Sequence, residues 1–448
     1  MPKAFEKSSI HHFREQLKAE NHKALQLELA DLHWADVAEL LDHLPFDDSK
    51  QLFQLLDEEK ASTILAELEE NVRERLLAEI SSKDIADKYI DHLDSDDAAD
   101  IIGELSEDKK EEVLAHIEDI NQASDIVDLL SYGEETAGGM MAKELIWVNK
   151  NWTVWQCIRE MRRQAEEVDH VYTIYVVDDH QILCGVLSLK ALLLSNEQST
   201  IDGIYNPKVI SVNVKTDQEE VVNIMKKYDL VALPVVDDLS RLTGRITFDD
   251  ALDVLREESD KDYQMASGLS EDVESDDKVL VLTRARLPWL IVGMLGGLLG
   301  AVVMKYFNIE EYIELALFAP LIAAMGGNVG VQSAAIIVQG LASNNLGRQT
   351  TFQRLKKETL VALLNGLACS VLVFGLSYLM VESVVFSQVL SISLLAVIVF
   401  AALFGTIVPL TLNRFKIDPA LATGPFITTA NDVFGLCIYF FIAQWLLY

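Results

Sequence analysis

The sequence predicts a multi-domain protein. We expect a cytosolic all-α helical-repeat domain that forms a superhelix, two tandem α+β domains, a connecting helix, and an α-helical membrane domain with five transmembrane helices. Three observations support this prediction. Residues 1–283 contain 63 acidic and 28 basic residues, whereas residues 284–448 contain 7 and 9. Two different internal repeats divide the acidic part, and five apolar segments follow it.

The first repeat has a period of twelve residues. Apolar pairs begin at Leu40, Leu52, Ile64 and Leu76 and, after a slip of one residue, at Ile101 and Val113. Twelve residues accommodate about two helical turns and a short connection. Residues 25–131 should therefore form a stack of short helices within an N-terminal domain at residues 1–132.

Most carboxylates of this domain are expected to form a solvated face. Asp96 and Asp100 differ, because they lie at positions i and i+4 of one predicted helix and are therefore neighbours. Two like charges so placed repel each other unless a cation lies between them. An excess of acidic residues also argues against binding of nucleic acid, which requires basic patches, and favours solubility or binding of multivalent cations.

The second repeat has two copies, which we place at residues 133–201 and 202–258. Residues 147–161 match residues 211–225, and each copy predicts the order strand, helix, strand, turn, strand, helix. This tandem resembles cystathionine-β-synthase (CBS) domains, a regulatory module similar to sensors of adenine nucleotides. In that family a Ser or Thr followed three residues later by Asp binds the ribose. Thr247 and Asp250 match this pattern, whereas Ser188 of the first copy is followed by Ala191 and departs from it. The resemblance implies ATP as a ligand of the CBS domains.

A connecting segment at residues 249–283 leads from the second copy to the membrane domain. Its apolar residues are too sparse for a buried core helix. The carboxylates of this segment are Asp249, Asp250, Asp253, Glu257, Glu258, Asp260 and Asp262. The segment is therefore either an inert spacer or a lever and plug that carries cation ligands.

The membrane domain, residues 284–448, contains apolar segments at about 287–306, 315–341, 359–381, 389–413 and 420–447. Basic residues lie on one set of connections. Two precede the first segment (284 and 286), four separate the second from the third (348, 354, 356 and 357), and two separate the fourth from the fifth (414 and 416). The other connections carry acidic residues at 310, 311, 314 and 382. The positive-inside rule then predicts a multi-pass protein of the cell membrane with a cytosolic N-terminus and an extracytoplasmic C-terminus. The first residues contain no apolar stretch typical of a signal peptide, which agrees with that orientation.

Asp432 is the only ionisable residue of the last segment, and a carboxylate at membrane depth is by default a candidate functional residue. The alternative is a structural Asp that is bonded to neighbouring Ser or Thr residues. Gly424 and Pro425 predict an interruption of the backbone near this carboxylate. In the second segment, Asn328 and Gln332 supply neutral oxygen ligands beside glycines that permit close approach. Asp432, Asn328, Gln332 and Thr428 together form our candidate pore.

The domain order, the motif P-x-x-x-x-x-GGN-x-G-x-QS from residue 320, and D-P-A-L…T-x-x-D-V from residue 418 resemble the MgtE family of magnesium channels. The resemblance implies a homodimer in the bilayer, with a pore on its two-fold axis where Asp432 binds a largely hydrated Mg²⁺. It also implies that cytosolic Mg²⁺ closes the pore by bridging the N-terminal domain, the CBS domains and the connecting "plug" helix. The matching regulatory positions are Asp96, Asp100, Glu219, Asp229, Asp250, Asp253, Glu258, Asp262 and Asp418. Val331, Lys226 and Lys261 depart from the family pattern.

Oxygen ligands suit Mg²⁺, which is small and sheds its water reluctantly, whereas softer metals would require Cys or His. The four cysteines have no metal-site or disulfide spacing. We therefore expect a Mg²⁺ channel or transporter rather than an enzyme. Two other functions stay open, which are an ion-coupled secondary transporter of divalent cations and a non-transporting, membrane-anchored nucleotide sensor.

Overall fold

The computed structural model describes residues 7–165, 168, 170–271, 273, 277–307, 313–342, 350–422 and 424–447. The chain divides into two compact units, Met1–Arg256 and Glu257–Tyr448. The first unit contains the two repeats that the sequence predicts. The second contains the apolar segments.

Ten short helices precede the first strand in the described part of the chain. They are α1 Lys7–Lys18, α2 His22–Asp31, α3 Trp34–Asp42, α4 Phe46–Phe53, α5 Glu58–Glu67, α6 Glu70–Glu79, α7 Ser82–Lys88, α8 Ser95–Gly103, α9 Glu107–Leu114 and α10 Ile120–Leu129. Helices α3 to α7 begin twelve residues apart, and α8 begins thirteen residues after α7. This confirms both the period and the slip.

The repeating apolar pairs form the core of this helical stack. Leu40, Leu41, Ile64 and Leu65 are fully buried, because each pair lies on the inward face of its helix. Side chains cap the starts of four of these helices, α3, α5, α7 and α10. Asp57 accepts a hydrogen bond from the Lys60 N–H at 3.0 Å, for example, and so caps α5.

The two copies of the second repeat have the same topology. The first consists of β1 Ile146–Asn149, α11 Val154–Gln164, β2 Ile174–Val177, β3 Leu183–Leu187 and α12 Leu189–Leu194. The second consists of β4 Val212–Asn213, α13 Gln218–Tyr228, β5 Ala232–Val236, β6 Leu242–Thr247 and α14 Phe248–Ala266. In each sheet the middle strand pairs parallel to the first strand and antiparallel to the third. This confirms the predicted order of elements.

The copies also share an irregularity, since the register shifts between Val176 and Val177 and between Val235 and Val236. The sheets meet at their hairpins, where the Leu183 N–H donates to the Ser240 carbonyl at 3.0 Å and the Leu242 N–H donates to the Gln181 carbonyl at 3.0 Å. A reciprocal pair of this kind is what two related copies form around a pseudo-two-fold axis. Because the unit boundary lies within α14, it does not test the predicted domain limits at 132, 201, 258 and 283, which stay predictions.

Five helices of the second unit are long and apolar enough to cross a membrane, judged by length and composition among the described residues. They are α15 Val279–Tyr306, α16 Ile313–Ala342, α17 Thr351–Val381, α18 Val384–Arg414 and α19 Gly424–Leu447. The five predicted segments are therefore confirmed. Helices α15 and α17 begin eight residues before the apolar segments, because polar residues continue the helix beyond the apolar part. Glu310, Glu311 and Arg348, which contribute to the predicted orientation, lie outside the described residues.

One expectation about the last segment is wrong. The sequence predicts an interruption at Gly424 and Pro425, but these are the first two residues of α19, which continues without a break past Asp432. Proline is well tolerated in the first helical turn, where its missing N–H has no intrahelical partner to lose. The four residues Pro419–Ala422 form a separate 3₁₀ turn instead.

Candidate functional site

Three carboxylates of the first unit converge at the start of α8. One oxygen from each of Asp94, Asp96 and Glu144 lies within 4.8 Å of the others, and all three residues are half-buried. Ser95 fixes the arrangement, since its N–H and hydroxyl donate to the two oxygens of Glu144 at 3.1 and 2.8 Å. The Lys143 N–H donates to the same hydroxyl at 2.9 Å. The geometry suits a hard divalent cation, which prefers carboxylate oxygens.

The electrostatics of this region agree with that chemistry. Burial, followed by the charges of Asp97, Asp250 and Asp94, raises the pKa of Asp96 well above its ordinary value. Burial, followed by Asp100 and Asp250, raises the pKa of Asp97 to about 7, although part of this side chain stays exposed. Such crowding favours either protonation or a bound cation, because like charges in one site cannot all ionise freely.

Residues of α14 belong to the same electrostatic cluster. Burial raises the pKa of Asp253, and Asp250 and Asp249 add to this rise. Burial also raises the pKa of Asp250, whereas hydrogen bonds from Thr247 oppose the rise. The N-terminal helical stack and the second CBS-like copy thus contribute carboxylates to one region of the first unit.

The sequence predicts only part of this cluster. Asp96, Asp100, Asp250 and Asp253 are expected, whereas Asp94, Asp97 and Glu144 are not. Asp94 is close to Asp96 in sequence and could have been suspected from the run of acids at the start of α8. Glu144 lies about fifty residues from α8, so no local spacing indicates it.

Glu219 and Asp229 are not brought together by the fold. Both are exposed, and they lie at opposite ends of α13, about 15 Å apart along its axis. Asp229 adopts a left-handed conformation with φ of 51° and ends the helix. These two residues cannot share one ion within a single chain.

Thr247 and Asp250, the predicted ribose-binding pair, bond to each other. Both the N–H and the hydroxyl of Thr247 donate to one oxygen of Asp250, at 2.9 and 2.6 Å. The carboxylate therefore ties the start of α14 to the end of β6. In the first copy, Ser188 caps α12 by accepting the Ala191 N–H at 3.1 Å.

A second acidic group lies in the second unit. Burial raises the pKa of Asp262, and the nearby carboxylates of Asp418 and Glu258 raise it further, whereas Lys261 lowers it. Lys261 lies 3.6 Å from Glu258, so the departure from the family pattern places a cation inside this group. Asp418 is exposed and accepts the Ala420 N–H at 2.8 Å.

The candidate pore lies where α16 and α19 approach each other. At Gly327 of α16, an added Cβ would lie 3.1 Å from Cγ2 of Thr428 and 3.6 Å from Oδ1 of Asp432. The structure therefore brings Asp432 and Thr428 together beside this glycine. Asn328 and Gln332 are exposed and lie one turn apart on one face of α16.

Close backbone contacts hold α16 in this position. An added Cβ at Gly330 would lie 1.9 Å from Nδ2 of Asn431 on α19, and one at Gly405 of α18 would lie 2.3 Å from the Gly330 carbonyl oxygen. Gly296 of α15 is similarly close to Thr429 of α19. Small residues of this kind are typical of close helix packing in membranes, so the glycine motif has a structural basis.

Comparison with family models and known proteins gives a consistent result. Residues 32–135 match the MgtE intracellular N domain, residues 137–195 and 201–257 match the CBS domain, and residues 319–442 match the MgtE divalent cation transporter domain. The CBS resemblance is thereby confirmed. These three matches follow the domain order predicted from the sequence.

Two curated relatives cover most of the chain. The chain is similar to the magnesium transporter MgtE of Bacillus subtilis, with 33% identity over 70% of this chain and 70% of the relative. It is also similar to the magnesium transporter MgtE of Thermus thermophilus, with 37% identity over 72% and 73%. A crystal structure of the cytosolic domain of the Mg²⁺ channel MgtE in complex with ATP matches with a TM-score of 0.51 and 32% identity, covering 55% of this chain and 99% of that one.

Proposed function

Because the chain belongs to the MgtE family of magnesium transporters, we propose that it is a channel that passes Mg²⁺ into the cytosol down its electrochemical gradient. The observation that supports this most directly is the position of Asp432, a carboxylate of α19 that lies, with Thr428 of the same helix, beside Gly327 of α16. A carboxylate within an apolar helix is costly unless it faces an ion, water or a polar partner. Asp432 is therefore the proposed binding site for the permeating ion.

The chemistry of the site suits a hydrated magnesium ion. Mg²⁺ keeps several of its waters and is commonly held by one or two carboxylates, with carbonyl and hydroxyl oxygens around them. Asp432 supplies the charge, and Thr428, Asn328 and Gln332 supply neutral oxygens for the water shell. Weak binding of this kind also permits release, which conduction requires.

The test is Mg²⁺ flux into liposomes that contain purified wild-type or Asp432→Asn protein. We expect the variant to lose most of its flux, whereas Glu314→Gln, which neutralises an exposed carboxylate at the start of α16, should keep it. Undiminished flux in Asp432→Asn would contradict the assignment. Dependence of the flux on an imposed H⁺ or Na⁺ gradient would favour the coupled transporter, and absence of flux in the wild type would favour the nucleotide sensor.

A homodimer with the pore on its two-fold axis is supported by the surface of the second unit. Asn328 and Gln332 are exposed on a helix that is apolar enough to span a membrane, and amide groups are costly in contact with lipid. A second copy would cover this face and would place two Asp432 carboxylates around one ion. Light scattering of the protein in detergent should therefore give the mass of a dimer. A monomer that retains Mg²⁺ flux after reconstitution would contradict the proposal.

Closure of the channel by cytosolic Mg²⁺ is supported by two groups of carboxylates, one at α8 and one around Asp262. Helix α14 contributes residues to both groups. Helix α14 contains Asp250, whose charge reaches Asp96 and Asp97 of α8, and Asp253, whose pKa Asp250 raises. It also contains Asp262, which belongs to the group with Asp418. Mg²⁺ shared within these groups would convert repulsion into attraction and favour one compact arrangement. We propose that this arrangement holds the plug helix, α14, in the closed state.

Limited proteolysis tests this mechanism. Millimolar Mg²⁺ should protect the linkers near residue 133 and at 260–280, of which residues 272 and 274–276 lie outside the described part. A chain without residues 1–131 should stay open at higher Mg²⁺ than the full-length protein. Identical digestion in EDTA and in Mg²⁺, or closure of both proteins at the same Mg²⁺ concentration, would mean that the acidic region is not the sensor.

ATP binding by the CBS pair is a second proposal. It is supported by the similarity to the ATP-bound cytosolic domain and by the Thr247–Asp250 pair at the start of α14. A ribose would have to compete with the bond between these two side chains. Calorimetric titration of ATP should show binding to the wild type and weaker binding to Thr247→Val. Equal affinities would remove this pair from the nucleotide site.

The orientation of the chain is likewise proposed, with the N-terminus in the cytosol and the C-terminus outside. It is supported by the basic residues Arg284, Arg286 and Arg414, which lie next to the spans on one predicted side. A reporter fused to either terminus should be active only in the matching compartment.

A further inference from the structure

Arg245 is a buried cation inside the first unit. It lies on β6, with 6% of its surface exposed. Its Nε donates to the Glu144 carbonyl oxygen, and its Nη2 lies 3.7 Å from Oδ2 of Asp94. The guanidinium lies 5.3 Å from the ring centroid of Tyr172. Its Nη1 is buried and has no hydrogen-bond partner among the described residues.

These contacts join three parts of the chain that are far apart in sequence. Asp94 belongs to the start of α8 in the helical stack, Glu144 precedes β1, and Arg245 belongs to the second CBS copy. A buried guanidinium is favourable only when opposite charges and acceptors surround it. Arg245 meets these conditions only while the start of α8 lies against the CBS pair.

The same residues belong to the candidate cation site. Asp94 and Glu144 are two of the three carboxylates that converge there. The charge of Arg245 also reaches Asp250, whose pKa it lowers against the effect of burial. A fixed positive charge is therefore already present among carboxylates that would otherwise need a divalent ion to neutralise them.

We propose that Arg245 is a built-in cation that holds the N-terminal helical stack against the second CBS domain without any metal, so that docking of the two domains depends only partly on Mg²⁺. The inference rests on the proposed function for the link between docking and channel closure. The docking effect itself requires only the contacts of Arg245.

Docking of the two domains and binding of a divalent ion are thermodynamically linked. Without the guanidinium, the carboxylates of α8 and α14 repel each other more strongly when no metal is present, so the docked state becomes less populated. A divalent ion that binds between them no longer meets a neighbouring positive charge, so the docked state binds it more tightly. Both changes make docking more dependent on the Mg²⁺ concentration.

Hydrogen–deuterium exchange of the full-length protein in detergent tests the proposal. Peptides that cover α8 should exchange about tenfold faster in Arg245→Met than in the wild type when EDTA is present. Saturating Mg²⁺ should restore wild-type protection, and the dependence of protection on Mg²⁺ should be steeper. Arg241→Met is the matched control, because Arg241 is about half-exposed and pairs with Asp237 in its own turn at 2.6 Å. It should exchange like the wild type.

If Arg245→Met exchanges at α8 like the wild type and the control in EDTA, the proposal is overturned. If Arg245→Met does not fold, Arg245→Gln provides the test, because it removes the same charge while keeping a polar group that can donate to the Glu144 carbonyl oxygen. Faster exchange at α8 in EDTA then supports the proposal, and unchanged exchange overturns it. If instead the proposed Mg²⁺ sensing is wrong, the α8 peptides of the wild type should be equally protected in EDTA and in Mg²⁺. Arg245→Met should still exchange faster than the wild type in EDTA.

Discussion

Substitution of Gly405 by Ala would act directly on the contact between α16 and α18. A Cβ at this position would lie 2.3 Å from the carbonyl oxygen of Gly330 and 3.1 Å from its Cα. These are backbone atoms in the interior of a helix, so no rotation of a side chain can make room. The two helices must therefore move apart.

The size of the effect follows from this distance. Ordinary van der Waals contact begins at 3.4 Å, so the helices must separate by about 1 Å at this point. Overpacking of this kind costs about 1–3 kcal/mol in the free energy of unfolding. Since α16 also carries Gly327, which lies beside Asp432, the displacement should widen or misalign the candidate pore as well as destabilise the fold.

Thermal unfolding in detergent and Mg²⁺ flux into liposomes measure the two consequences. We expect Gly405→Ala to lower both the unfolding temperature and the flux per protein. Gly375→Ala is the control, because a Cβ at Gly375 of α17 would meet nothing within 4 Å. It should be neutral or slightly stabilising, since Ala favours helix more than Gly does. Equal behaviour of the two variants would refute the close contact between α16 and α18.

Two further predictions concern the first unit. Arg73→Met should lower the free energy of unfolding by about 3 kcal/mol, because it leaves the largely buried Glu104 without its bidentate ion pair. Lys215→Met, which breaks an exposed pair with Asp238, should have little effect in the same denaturant titration. The pKa of Asp97, about 7, means that the folded state binds this proton more tightly than the unfolded chain does. In EDTA, stability should therefore rise as the pH falls from 8 to 6, and Asp97→Asn should show a smaller rise; an identical pH dependence in both proteins would contradict the raised pKa.

The helical repeat was predictable from the sequence because each short helix buries its own apolar pair. Leu52 and Phe53, for example, repeat the pattern of Leu40 and Leu41 after twelve residues, and all four are buried. The CBS-like copies were predictable for a related reason, since a duplicated order of strands and helices is visible at an offset of 64 residues in the first half of each copy and of 59 residues in the second half. In both cases the information is local, or is repeated within the chain.

The acidic cluster was only partly predictable, because its members come from distant parts of the chain. Asp96 and Asp100 lie on one helix, and their spacing of four residues is informative. Glu144 is held in the cluster by two hydrogen bonds from Ser95, and Arg245 lies 101 residues beyond Glu144. Contacts of this kind depend on how α8 packs against β6, which no periodicity in the sequence specifies.

The candidate pore illustrates a prediction that rested on two sequence observations, of which one does not hold. Asp432 is a candidate because it is the only ionisable residue of an apolar segment. The second observation, that Gly424 and Pro425 indicate a broken backbone near it, is wrong, since α19 is continuous from Gly424 to Leu447. The room beside this carboxylate comes instead from the partner helix, where Gly327 has no side chain to fill it. A continuous α19 keeps its backbone hydrogen bonds through the membrane, so the cost of unpaired backbone groups in an apolar region does not arise. In the proposed channel, oxygen ligands for the permeating ion would then come from the side chains of Asp432, Thr428, Asn328 and Gln332 rather than from exposed carbonyls of a broken helix.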